Sequence, residues 1–177
     1  MFKSLLAGAT MMLLGGCSSV PVDAYKAELP RLDLAQYFNG QIDAWGMFQD
    51  RSGKVIKRFH VLIDAKWVNQ VGTLNEHFTW SDGTTSQRVW TLRQLDAHHF
   101  IGTAADVVGE AKGEVDGNAL QWRYVLALPV DGKVYNVNVD DWMYLMDEHA
   151  MLNRSKISKF GIHLGDITLF FKKHEGA

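Results

Sequence analysis

The chain has 177 residues, 18 Lys and Arg against 20 Asp and Glu for a formal charge of −2, and 47% hydrophobic residues. That length gives one domain with a sizeable core. The slight acidity, without any basic run, excludes an electrostatically driven nucleic-acid binder, and the single cysteine excludes an internal disulfide.

The N-terminus reads as an export signal. Lys3 supplies a short cationic start, residues 5–14 an apolar run too short for a permanent membrane helix, and Gly15 and Gly16 a small-residue site before Cys17. Leu14-Gly15-Gly16-Cys17 resembles the lipobox of bacterial lipoproteins, which implies a signal peptide over residues 1–16 and lipidation of Cys17. Each buried acyl CH₂ contributes about 0.8 kcal/mol, and more than one chain makes attachment stable. Ser18 resembles the signal for passage to the outer membrane. The expected location is the periplasmic face of a Gram-negative outer membrane, with the lipid anchor as the membrane partner. Residues 17–30, with Pro21 and Pro30, read as lipidated cysteine and tether, and residues 31–177 as the folded domain.

Pro30 suits a first helical turn, so a short helix is expected over residues 32–38. Strands follow. Val55, Lys57, Phe59, Val61 and Ile63 alternate with Ile56, Arg58, His60 and Leu62, and Leu74, Glu76, Phe78 and Trp80 make a second run. After Ser81-Asp82-Gly83 the period-two pattern resumes over residues 84–95. Leu120, Trp122, Tyr124, Leu126 and Leu128 line one face of a long strand that ends at Pro129 and Asp131-Gly132. Residues 147–152 fit a helical turn or a strand connection equally well. Residues 162–171 close the chain. Turn residues bound each run at short intervals. The fold class is therefore all-β: eight to ten strands in a single antiparallel up-and-down β-barrel, whose closure removes both sheet edges.

Tyr37-Phe38-Asn39-Gly40 followed by Trp45-Gly46 is similar to the lipocalin opening, where a short helix precedes a Gly and a Trp of the first strand. Three longer segments, residues 44–53, 103–111 and 140–145, resemble an uncharacterised family of bacterial lipoproteins, domain of unknown function 3833. So do Leu152-Asn153-Arg154-Ser155 and Lys159-Phe160-Gly161. The resemblance implies a lipocalin-like barrel and carries no settled activity.

The chemistry must be read from residues. A barrel of this size can hold one small apolar ligand. Trp45, Trp80, Trp90, Trp122, Tyr124 and Trp142 are candidates to wall such a pocket, or simply to fill the barrel. Glu76, Arg88, Asp106, Arg123, Asp140, Asp141 and Arg154 lie in or beside strands. One of Asp140 and Asp141 must share the side of the apolar row, and a carboxylate there needs a partner. Arg123 and Arg154 are the sequence candidates, in a cluster that either holds the barrel together or grips a ligand's head group.

No nucleophile elbow, phosphate loop or metal-binding His pair is present, so no catalytic residue, metal or cofactor is assigned. His98 and His99, adjacent in a strand, would point to opposite faces. Three functions remain. The first is a binder of a lipid or other hydrophobic molecule in envelope lipid handling; the others are a packed scaffold lipoprotein and an enzyme on a lipid-like substrate. Protein partners are not legible.

Overall fold

The computed structural model describes residues 19–175; the segment expected as a signal peptide and Cys17 lie outside them. Among the described residues ten strands run in chain order. They are Gly40–Asp50 (β1), Val55–Val68 (β2), Val71–Trp80 (β3), Thr85–Gln94 (β4) and His99–Thr103 (β5). Val107–Asp116 (β6), Ala119–Val130 (β7), Lys133–Leu145 (β8), Ala150–Lys159 (β9) and Ile162–Lys173 (β10) follow. Each pairs antiparallel with its chain neighbours, and β1 pairs with β10, so the sheet closes into an up-and-down barrel.

Pleat alternation sets which side chains face inward. Registers carry this parity around the wall: Trp122 opposes Asp141, Asp141 opposes Ser155, and Ser155 opposes Ile167. The apolar row Leu120, Trp122, Tyr124, Leu126 and Leu128 therefore looks inward, opposite Val137, Val139, Asp141 and Met143 of β8. Ile42, Ala44, Val61, Ile63 and Met151 complete a buried core toward one end.

That end is plugged. The helix (α1) is one turn, Leu34–Tyr37, shorter than residues 32–38; Asp33 caps it by accepting from the Gln36 N–H at 3.0 Å. The Tyr37 hydroxyl donates to the His149 carbonyl at 3.1 Å, and Phe38 meets Phe171 edge-on. Residues 147–152 are a strand connection. The Asp147 carboxylate accepts from the His149 and Ala150 N–H groups and β9 starts at Ala150.

Within the segment expected as a tether, Val22–Tyr25 forms a 3-10 turn with Val22 buried. Tyr25 packs its ring on Trp142 and Tyr144 from outside the barrel. The five hairpins at the other end, β1–β2, β3–β4, β5–β6, β7–β8 and β9–β10, surround the barrel's mouth.

Candidate functional site

The interior holds a cavity of about 740 Å³, within the range that takes a drug-sized or lipid-like molecule. It reaches the hairpin end past Ile56, Pro129 and Val130. Aromatics wall it. Phe59 packs at a tilt against both Phe78 and Trp80, whose rings stack 5.4 Å apart. Across the cavity Trp90 stacks on Trp122 at 6.4 Å and meets Tyr124 edge-on at 5.6 Å.

Several of these rings sit where the neighbouring strand carries glycine. Gly46 opposes Phe59 and Gly113 opposes Trp122 in register. A β-carbon at Gly113 would stand 2.6 Å from the Trp122 ring, and one at Gly46 2.4 Å from Phe59. Glycine there lets the ring lie flat along the wall.

A polar layer crosses this apolar space. Glu76 of β3 and Arg88 of β4 are register partners. Arg88 Nε lies 3.0 Å from Asp106 Oδ1, and its guanidinium stands 4.5 Å over the Trp90 ring. Opposite, the buried Asp141 carboxylate accepts from Ser155 Oγ at 2.8 Å and from Asn153 Nδ2. Glu76 Oε2, Arg88 Nη2 and Asp106 Oδ1 are buried without a hydrogen-bond partner, and the Arg88–Asp106 contact is an ion pair off hydrogen-bond alignment.

Burial dominates the electrostatics. It pushes the Glu76 carboxyl up to about 7 against the pull of Arg88, with Asp106 and Asp141 adding to the rise. Burial likewise raises Asp141, opposed by its Asn153 and Ser155 hydrogen bonds. For Arg88, burial works against the charge, but Glu76, Tyr124 and Asp106 outweigh it and hold its pKa above the usual value. Burial raises the Tyr124 hydroxyl, with Asp141 adding to it. The layer can therefore offer both a fixed cation and a proton shared near neutrality.

Of the sequence candidates, Glu76, Trp80, Arg88, Trp90, Asp106, Trp122, Tyr124 and Asp141 line the cavity. The other five do not, because their parity turns them outward. Trp45 stacks on Phe170 on the outer wall, and Trp142 stacks on Tyr144 beneath Tyr25. Arg123 Nη2 donates to Gln121, whose amide donates to Asp140, and Arg154 lies 3.8 Å from Asp166. The expected pairing of Asp141 with Arg123 or Arg154 is thus corrected: the neutral Asn153 and Ser155, in register on β9, hold that carboxylate. Sequence reasoning missed both, although Met151, Asn153, Ser155 and Ile157 share one parity. Among the described residues no group of three or more His, Cys, Asp and Glu is placed to hold a metal ion.

A closed antiparallel barrel, plugged at one end and enclosing an apolar cavity that opens at the other, is a lipocalin-like barrel. The chain belongs to the family described as protein of unknown function (DUF3833), whose model matches residues 11–173. Among solved structures it is similar to the S-type phycobiliprotein lyase CPES from Guillardia theta. The two share 8% identity with a TM-score of 0.57 over 83% of this chain and 96% of that one. At that identity the likeness shows the fold alone. No curated protein matches the sequence.

Proposed function

We propose that this protein binds one amphipathic, largely apolar molecule of lipid class inside its barrel, with the barrel anchored through acylated Cys17 at the periplasmic face of the outer membrane. The observation that carries the reading is the aromatic-walled cavity of about 740 Å³ with polar atoms of Glu76, Arg88 and Asp106 that lack a hydrogen-bond partner. A solid scaffold has no use for such a space, and buried polar atoms are ordinarily satisfied. The apolar walls suit an acyl or polycyclic body, and the polar layer suits its head group. The lipobox-like Leu14-Gly15-Gly16-Cys17 supports the anchor.

The test is native mass spectrometry with lipid extraction on residues 18–177 purified from periplasm. All ten strands and the core lie within residues 22–173, so this chain keeps the whole folding unit. A stoichiometric apolar adduct is expected. A clean apo mass in repeated preparations, with no displaceable fluorescent lipid, overturns the reading. The anchor is tested separately, by the intact mass of the mature protein and its loss of acyl mass in Cys17→Ser.

One observation favours a second reading, an enzyme on a lipid-like substrate. Glu76, with a pKa of about 7 beside the cavity, is poised for proton transfer. Turnover of an extracted adduct by the native protein, lost in Glu76→Gln with binding kept, would select it.

A further inference from the structure

Four apolar side chains at the open end of the barrel stand far out in water. Phe160 is 89% exposed, Val134 67%, Ile56 62% and Ile162 60%. All four lie at hairpins around the mouth, and Ile56 also lines the cavity. Single exposed apolar residues are ordinary, but a cluster of them on the adjoining β1–β2, β9–β10 and β7–β8 hairpins beside an opening marks a binding surface.

The hairpins of the mouth carry Arg51, Lys54, Lys57, Lys133 and Lys159 against Asp50, Asp82, Asp106 and Asp131. Asp82 is 3.0 Å from Lys57, and the Asp50 carboxylate accepts from the Ser52 and Lys54 N–H groups. At the plugged end, the β4–β5, β6–β7 and β8–β9 connections bring Asp96, Asp116, Asp147 and Glu148, and β10 ends in Lys172 and Lys173. In a chain of net charge −2 the mouth thus sets strongly exposed apolar side chains beside a slight excess of lysine and arginine.

Phe160 sharpens the point. Phe160 and Gly161 form the β9–β10 turn with φ of 52° and 79°, the same left-handed pair that Asp131 and Gly132 adopt at 49° and 75°. Asp is an ordinary residue for that position, and Phe is not. The ring is held in a disfavoured backbone conformation and in water at once, while Lys159 Nζ sits 5.4 Å from it and 5.1 Å from Tyr135. An aromatic tip flanked by lysines fits the boundary between acyl chains and anionic head groups.

We propose that the mouth of the barrel docks on the surface of an anionic lipid bilayer, with Phe160, Ile162, Val134 and Ile56 inserted at the head-group boundary and the lysines on the head groups. This sets the opening of the cavity directly against lipid. It stands on the rim alone and not on what the cavity holds.

The test uses residues 18–177, which lack cysteine, and flotation with vesicles of phosphatidylglycerol in phosphatidylcholine or of phosphatidylcholine alone. Binding is expected to the anionic vesicles and to weaken with added salt. It should fall at least about tenfold in Phe160→Ser/Ile162→Ser and in Lys133→Glu/Lys159→Glu, all at exposed positions except the half-buried Lys159, and both checked for an unchanged melt. An environment-sensitive label on Phe160→Cys should shift to the blue with anionic vesicles, and one on Glu148→Cys at the plugged end should not. No flotation, equal binding to both vesicles untouched by the variants, or a label at 160 buried by self-association without vesicles would each overturn the proposal. Rim variants that abolish flotation are expected to keep any apolar adduct, so this proposal and the cavity reading fail separately.

Discussion

Arg88 Nε stands 3.0 Å from Asp106 Oδ1 just beyond the point where β4 and β5 stop pairing. Strand β4 pairs with β5 only from Thr91 to Gln94, opposite Phe100 to Thr103. Nearer the mouth, Thr85–Trp90 has its β3 partner on one side and the β5–β6 turn, carrying Asp106, on the other. The ion pair therefore ties the unpaired half of β4 to the facing turn. Its charges also sit in the cavity's polar layer, so one contact serves the wall and the site together.

Removing Arg88 leaves Glu76, Asp106 and Asp141 facing one another without a cation. Arg88→Ala is expected to destabilise by about 1–3 kcal/mol, less than for a fully buried pair because the Asp106 side chain is 40% exposed and water screens the contact. Arg88→Lys should recover only part of this, because an ammonium cannot reproduce the planar contact over Trp90. Urea denaturation at pH 7 measures both. A midpoint for Arg88→Ala equal to that of the parent would show that the clasp contributes nothing.

Glu76 gives a pH signature of definite sign. Its folded-state pKa of about 7 lies above the ordinary 4.5, so the native state holds the proton more tightly than the unfolded chain. Stability from this group is complete below pH 4.5 and is lost as pH rises toward 7, by at most about 3 kcal/mol at about 1.4 kcal/mol per pKa unit. Glu76→Gln should flatten that window relative to the parent. Parallel curves for the two proteins between pH 4.5 and 7.5 would refute the raised pKa.

The barrel was legible because period-two alternation and Asp-Gly or Gly-bounded turns survive in nearly every strand. The site was legible only in part. Leu120 to Leu128 declared their inward face by being apolar, and Asp141 follows from them through the hairpin. Arg123 and Arg154 looked suitable as its partners because opposite charges attract. Yet they sit one residue out of phase, and a one-residue offset turns a side chain to the other face. Asn153 and Ser155 were the right partners with a weaker signal, since neutral polar residues in a strand usually face water. The clasp between Arg88 and Asp106 was not legible at all. It depends on where β5 stops pairing, which no local pattern records.

Asp141 is expected to tolerate loss of its charge and not loss of its oxygens. Burial raises its pKa, so the charge itself costs stability at neutral pH. Asp141→Asn keeps an acceptor for Ser155 Oγ and should lie within about 1 kcal/mol of the parent. Asp141→Ala strands the Asn153 amide and the Ser155 hydroxyl in the interior and should cost about 1–3 kcal/mol. Thermal melts of the two variants rank them; Asn falling below Ala would contradict this account of the contact.

Gly113 and Trp122 make the sharpest test of how the cavity is shaped. Gly113→Ala would set a methyl group 2.6 Å from the Trp122 ring, closer than side chains approach. The ring must then swing toward the cavity, where Trp90 stacks on it. Overpacking of this kind typically costs about 1–3 kcal/mol. Trp122→Leu alone leaves a void, but combined with Gly113→Ala it removes the clash. The double variant should therefore be more stable than the sum of the two single changes. A double-mutant cycle by urea denaturation reads this coupling directly, and additive effects would mean the ring does not depend on its glycine. The displaced indole also narrows the cavity, so Gly113→Ala should lower the capacity for a fluorescent lipid before it unfolds the barrel.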